Sequence, residues 1–96
     1  MAASPTEHEY LARGQFYLQQ GMLQNAIDDF SAAVDLNRDL APANYYRGMA
    51  HRNGGNLSGA IDDYSRAIQV DEDYPVAFYA RGVAHRHLGD FVRAIL

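Results

Sequence analysis

Four groups of side chains in this sequence could do chemistry, and their spacing decides what each can do. The first is imidazole: His8, His51, His85 and His87. A helical metal site takes two ligands at i and i+4, so that both leave one face. His85 and His87 are two apart and point to different faces. His51 and His85 stand 34 residues apart in matching surroundings, as packing residues would, and His8 stands alone. No metal site is expected. The second group is the acidic run Asp71-Glu72-Asp73. It lacks the spaced oxygen ligands and central glycine of a calcium loop, and reads as a solvated linker with a cap for the next helix. The third, Gly54-Gly55, follows a helix rather than a strand and has no Lys-Ser/Thr after it, so it is no phosphate loop. The fourth is hydroxyl: Ser31, Ser58 and Ser65 have no readable His/Asp constellation. The chain is therefore read as a non-enzyme that needs no cofactor.

Composition narrows the partners. Net charge is −4, and all eight basic residues are Arg. An acidic chain with no basic cluster is poorly suited to nucleic acid. Planar guanidinium groups suit two-pronged pairing with carboxylates and stacking on Tyr. With no cysteine, a disulfide framework is excluded and the compartment leans to the cytoplasm. The N-terminus has no basic segment leading into an apolar run, so no signal peptide is expected. No apolar stretch approaches the roughly 20 residues that cross a bilayer. A 48% apolar content fits a globular chain.

The elements that must position these groups repeat. Ala26-Ile27-Asp28-Asp29-Phe30 returns as Ala60-Ile61-Asp62-Asp63-Tyr64 and starts again at Ala94-Ile95-Leu96, at a period of 34 residues. Ser4-Pro5-Thr6-Glu7 reads as a helix start, with Ser4 as cap, Pro5 at the first helical position and Glu7 completing a capping box. That helix runs to about Gln20, where Gly21 ends it. A second, from about Leu23 to Asp35, carries Leu23, Ile27, Phe30 and Val34 on one face. Helices over about Ala41–Asn53 and Leu57–Val70 repeat the pair. A third copy opens at Tyr74 or Pro75, turns at Gly89-Asp90 and begins its second helix at Phe91. Asp39, Pro42, Asp73 and Pro75 are expected to shape the links between copies. No stretch has the period-two alternation of a strand, and the short links make successive helices antiparallel neighbours.

Two helices per 34 residues, with recurring Gly, Ala and aromatic positions, resemble the tetratricopeptide repeat. The first copy carries Tyr10, Arg13-Gly14, Tyr17, Ala26 and Phe30. The second carries Asn44, Arg47-Gly48, His51, Ala60 and Tyr64. The third carries Phe78, Arg81-Gly82, His85 and Ala94. The resemblance implies an all-α, right-handed superhelix of antiparallel helix-turn-helix units: one domain over 1–96, with repeats at about 7–40 and 41–74 and a partial one at 75–96. Three departures stand out. The family's late Pro is Arg38 and Glu72 here. The Leu before the repeat Gly is Arg13, Arg47 and Arg81. The Tyr after it becomes His51 and His85. An Arg on a packed face needs a partner, so Arg13 and Arg47 are expected to pair with Asp29 and Asp63; the alternative is a side chain whose stem packs while its head reaches water.

The resemblance also implies a function: a protein–protein interaction module with a peptide or protein segment on its concave face. The residues off the packing stripe there are Leu11, Gln15, Tyr45, Met49, Arg52, Tyr79, Val83 and Arg86, with Ala12 and Tyr46 toward the rim. Tyr45 and Tyr79 could instead simply pack on their neighbours. An apolar, aromatic groove with two Arg suits a segment with acidic and apolar side chains. One subgroup of the family clamps chaperone-tail carboxylates with Lys and Asn. The matching residues here are Leu11, Gln15, Tyr46, Val76 and Ala80, so a chaperone-tail adaptor is not expected. The third unit lacks a cover, which leads to the alternative function. Phe78, Leu88, Phe91, Ile95 and Leu96 would then mediate self-association, making the chain a homo-oligomeric scaffold; otherwise it is a fragment of a longer array.

Overall fold

The first helix starts at a box of two reciprocal hydrogen bonds. Thr6 Oγ1 accepts from the Glu9 amide at 3.2 Å, and Glu9 Oε1 accepts from the Thr6 amide at 3.2 Å. The start therefore lies two residues beyond the Ser4–Glu7 frame expected from sequence; of the two overlapping boxes, Thr6–Glu9 is the one whose bonds form. The computed structural model describes residues 3–95. They form five helices in order: α1 (Glu7–Gln19), α2 (Leu23–Leu36), α3 (Ala41–Asn53), α4 (Leu57–Val70) and α5 (Pro75–Ile95). Among the described residues there is no strand. The helices α1/α2 and α3/α4 make antiparallel hairpins, α3 packs back on α2, and α5 packs on α4. Side by side they build an elongated slab of 56 × 29 × 18 Å. The chain is thus the all-α helical-repeat solenoid that the periodicity implied.

Glycine sets the spacing inside each hairpin. A methyl group on Gly14 would lie 2.6 Å from Phe30, and one on Gly48 2.7 Å from Tyr64. The missing side chain lets each aromatic ring sit on the backbone of its partner helix. Phe30 and Tyr64 are fully buried there, with Ala26, Ala33, Ala60 and Ala67 around them. Both hairpins turn on a left-handed glycine, Gly21 at φ 76° and Gly55 at φ 87°.

The odd arginines are paired. Arg13 donates from Nε and Nη2 to Asp29 at 2.7 and 2.8 Å. Arg47 does the same to Asp63 at 3.0 and 2.9 Å, and adds Nη1 to Ser31 Oγ at 3.2 Å. Arg13 nonetheless keeps 53% of its side chain exposed against 16% for Arg47, so it combines both readings, a pair and a wet head group.

Two expectations about links and ends need correction. Asp39, expected to shape the first link, makes no cap for α3: Leu40 stands at the N-cap of that helix, with no side-chain cap bond. Asn37 and Asp71 shape the links instead. Their side-chain oxygens accept from the amides of Asp39 and Asp73, two residues on, at 3.0 and 3.1 Å, a local turn that Asn and Asp form readily. The turn expected at Gly89-Asp90 is also absent, and α5 runs straight through both residues to Ile95. In the first two copies the turn is offset by burying an aromatic ring on the glycine of the preceding helix. The stub from Phe91 to Ile95 brings only Ala94 of that set, so continuing the backbone hydrogen bonds is favoured. Leu96, named for self-association, lies outside the described residues.

Candidate functional site

On α1, α3 and α5 the residues off the packing stripe fall into three columns of period 34: Leu11, Tyr45, Tyr79; Gln15, Met49, Val83; and Leu18, Arg52, Arg86. The repeat is exact in position but not in burial. Leu11 packs into the core between α1, α2 and α3. Tyr45 and Met49 pack against the buried set Ala60, Tyr64, Ala80 and Ala84. Gln15 and Val83 are half-buried, Arg52 is half-buried, and Arg86 is exposed. Tyr79 is 75% exposed; among the described residues no further helix lies against its ring.

Tyr45 anchors an aromatic cluster. Its ring centroid lies 5.2 Å from Tyr46, 5.7 Å from Tyr64 and 5.6 Å from Tyr74, separations at which tilted and edge-on aromatic pairs attract. Tyr46 in turn stacks on Phe30 at 6.0 Å. Burial raises the Tyr45 and Tyr64 hydroxyls above their ordinary values, and the Arg52 charge partly opposes the rise in both. Tyr74 is pushed up to about 12, first by burial and then by Tyr46 and Tyr45. Arg52 donates to Asn53 Oδ1 at 3.3 Å, and neither Arg52 nor Arg86 has a carboxylate within ion-pair distance among the described residues. Arg52 thus acts on Tyr45 and Tyr64 without a carboxylate partner, and Arg86 likewise has none among the described residues.

The self-association residues separate. Phe78, Phe91 and Ile95 are exposed at 44%, 60% and 68%. Leu88 is half-buried, and with Phe91 it lines a cleft of about 190 Å³ against the turn residues Gly55, Asn56, Leu57 and Ser58.

Another cleft lies away from these residues. It is about 500 Å³, opens between α2 and α4, and is lined by Asp35, Arg38, Asn44, Arg47 and Arg66 among others. Sequence reasoning missed it, and periodicity could not have found it: Arg66 has no counterpart in the first copy, where that register holds Ala32. Arg47 is already paired with Asp63 and bonded to Ser31, while Arg38 and Arg66 have no carboxylate within ion-pair distance among the described residues. The Arg–Asp–Ser arrangement, by contrast, was half legible. The Asp partners follow from the repeat; Ser31 and Ser65 carry the same register, and their part in holding the guanidinium did not stand out.

A family model described as TPR repeat matches residues 48–89, and one described as tetratricopeptide repeat matches residues 10–40. The fold is similar to a crystal structure of MamA, with a TM-score of 0.86, 26% identity, and coverage of 88% of this chain and 49% of that one. This chain thus spans about half the length of MamA. It is also similar to the second TPR of Spaghetti (RPAP3) bound to the HSP90 peptide SRMEEVD, with a TM-score of 0.85, 26% identity, and coverage of 88% and 79%. The first TPR of Spaghetti, bound to the same peptide, has a TM-score of 0.85 at 23% identity, over 91% of this chain and 69% of that one, a likeness of fold. Comparison with curated proteins returns no match.

Proposed function

The chain belongs to the tetratricopeptide-repeat family, and from that premise we propose that it holds a peptide or protein segment on the concave face formed by α1, α3 and α5. The observation that carries this reading is the conjunction of an exposed Tyr79 with Arg52 and Arg86, two cations without carboxylate partners among the described residues. Tyr and Arg are the side chains that most often dominate binding energy. Leu11, Tyr45 and Met49 give this face a stiff apolar floor, and Gln15 and Val83 complete it. The segment it suits is acidic and apolar in alternation. The reading assigns no reaction and no cofactor to the chain, and places it in the cytoplasm. Among the described residues no helix is long and apolar enough to cross a membrane.

The chaperone peptide held by the Spaghetti domains is a useful probe. The residues that would correspond to a carboxylate clamp here are Leu11, Gln15, Tyr46, Val76 and Ala80, none of them cationic, and Ala80 is buried. Weak or absent binding of SRMEEVD is therefore expected. Selection from a peptide library should instead return acidic-apolar sequences. Tyr79→Ala combined with Arg86→Ala should lose them with helix content unchanged; equal capture by wild type and variant would sink the proposal. These positions test it more cleanly than Tyr45 or Met49, whose truncation would also open the core.

The exposed Phe78, Phe91 and Ile95 favour a second reading, self-association through α5. Light scattering over a concentration series would show a persistent dimer if it holds and a monomer throughout if it does not.

A further inference from the structure

Three helices of this chain present the same packing surface, and two of the three are occupied. On α1, Gly14 receives the ring of Phe30; on α3, Gly48 receives the ring of Tyr64. On α5, a methyl group placed on Gly82 would meet nothing within 4 Å. The residue before each glycine repeats the contrast. Arg13 and Arg47 hold Asp29 and Asp63, each 16 residues on, through Nε and Nη2. Arg81 has no carboxylate within ion-pair distance among the described residues.

Arg81 is nevertheless placed as the others are. Its Nη1 donates to Ser65 Oγ at 3.3 Å, the counterpart of the Arg47 Nη1 bond to Ser31 Oγ. Its guanidinium carbon lies 5.4 Å from the centroid of the Phe78 ring, as that of Arg13 lies 5.6 Å from Tyr10. Ser65 and Phe78 thus fix the fork from two sides, and the two donors that hold Asp in the other copies are left over. A planar fork with two parallel N–H groups recognises a carboxylate in one orientation.

We propose that this surface of α5 docks an amphipathic helix carrying Ala-x-x-Asp followed directly by Phe or Tyr, the Asp taken by Arg81 and the ring seated on Gly82. The chemistry of the partner follows from the two filled sites. The acid must precede the aromatic residue, as Asp29 precedes Phe30 and Asp63 precedes Tyr64. Ala must stand three residues before the acid, because the Ala60 carbonyl lies only 3.2 Å from a methyl group on Gly48 and a larger side chain would hold the backbones apart. An intact second copy does not fit this description. Its two helices of this sequence, α2 and α4, have Phe30 and Tyr64 fully buried in their own hairpins. The partner is therefore a helix that is not already packed in this way. The proposal does not rest on the concave-face reading, since it uses a different side of α5.

The test is direct binding of a labelled 14-residue peptide with the sequence of Leu57–Val70 to the full chain. With Arg66→Lys in the peptide, a lactam between that amine and the Asp62 carboxyl, both at exposed positions, keeps it helical, so the cost of ordering a short helix does not mask binding. Saturable binding is expected. Arg81→Met and Gly82→Leu should each weaken it by about tenfold or more, with helix content retained by circular dichroism. Asp63→Asn in the peptide should weaken binding to wild type but add little on the Arg81→Met chain, the signature of two groups that act on each other. Absence of saturable binding up to about 1 mM would overturn the proposal. So would binding that both variants leave intact and Tyr79→Ala removes, which would place the contact on the concave face.

Discussion

Arg47 and Asp63 face each other across the α3/α4 hairpin in a two-pronged ion pair, with Nε and Nη2 at 3.0 and 2.9 Å from the two carboxylate oxygens and both side chains mostly withdrawn from water. His51 Nε2 lies 3.5 Å from the same carboxylate. The equivalent Arg13–Asp29 pair has the same geometry but an exposed guanidinium. Its hydrogen bonds to Asp29, and then the Asp29 charge, hold the Arg13 proton more firmly than usual.

The two pairs should differ in worth. Arg47→Leu leaves a buried carboxylate without its partner, and a loss of about 3 kcal/mol is expected. Arg13→Leu should cost about 1 kcal/mol or less, because water reaches the position the guanidinium vacates. Urea unfolding of the two variants checks this; equal losses would show that burial does not separate the sites. Replacing Arg47 and Asp63 together by Leu should recover much of the first loss.

The three repeat glycines make a matched series. Gly48→Ala drives a methyl group to 2.7 Å from Tyr64 and 3.2 Å from the Ala60 carbonyl, and Gly14→Ala drives one to 2.6 Å from Phe30. Both rings are fully buried and have nowhere to retreat, so each change should destabilise by about 1–3 kcal/mol. Gly82→Ala meets open space on a helix, and should stabilise by about 0.5–1 kcal/mol through the loss of glycine's unfolded-state freedom. Thermal melts of the three variants decide it by the sign alone.

Tyr64 and Phe30 occupy the same register, and the difference between them is one hydroxyl. The Tyr64 hydroxyl is buried and finds no hydrogen-bond partner among the protein atoms described. A buried polar group in that position costs free energy that its ring contacts must overcome. Tyr64→Phe is therefore expected to raise stability by about 1 kcal/mol, read as a shift of the urea midpoint at constant slope. A loss of stability would mean that the hydroxyl is satisfied.

The repeat made most of this fold legible. Gly14 and Gly48 against Phe30 and Tyr64, and Arg13 and Arg47 against Asp29 and Asp63, follow from a period that fixes which residues meet across a hairpin. What a period cannot give is the behaviour of a copy that lacks its partners. Gly89-Asp90 has the residues of a turn, yet α5 continues through it, because a turn is stabilised by what packs after it and the described stub reaches only the repeat Ala94, short of the register that holds Asp29 and Phe30 in the first copy. The same limit applies to the candidate site. Tyr45 and Tyr79 are equivalent in sequence; one is wedged among three tyrosines and the other stands in solvent. The cleft between α2 and α4 escaped because Arg66 breaks the period instead of following it.

The wedged tyrosines give the chain an alkaline limit. Burial raises the Tyr45, Tyr64 and Tyr74 hydroxyls, Tyr74 to about 12 from its ordinary value of 10.0. The unfolded chain thus releases these protons at lower pH than the folded one. Below about pH 10 both states hold them and stability is complete; as pH rises from there toward about 12, the unfolded state is increasingly favoured. The expected result is a flat stability up to about pH 9 and a decline through about pH 11, accompanied by delayed tyrosinate absorbance in the folded protein relative to the urea-unfolded chain. Tyr74→Phe should shallow that decline without altering stability near neutrality. Superimposable tyrosinate titrations for folded and unfolded chains would show that the cluster is open to water and that its rings do not shield one another.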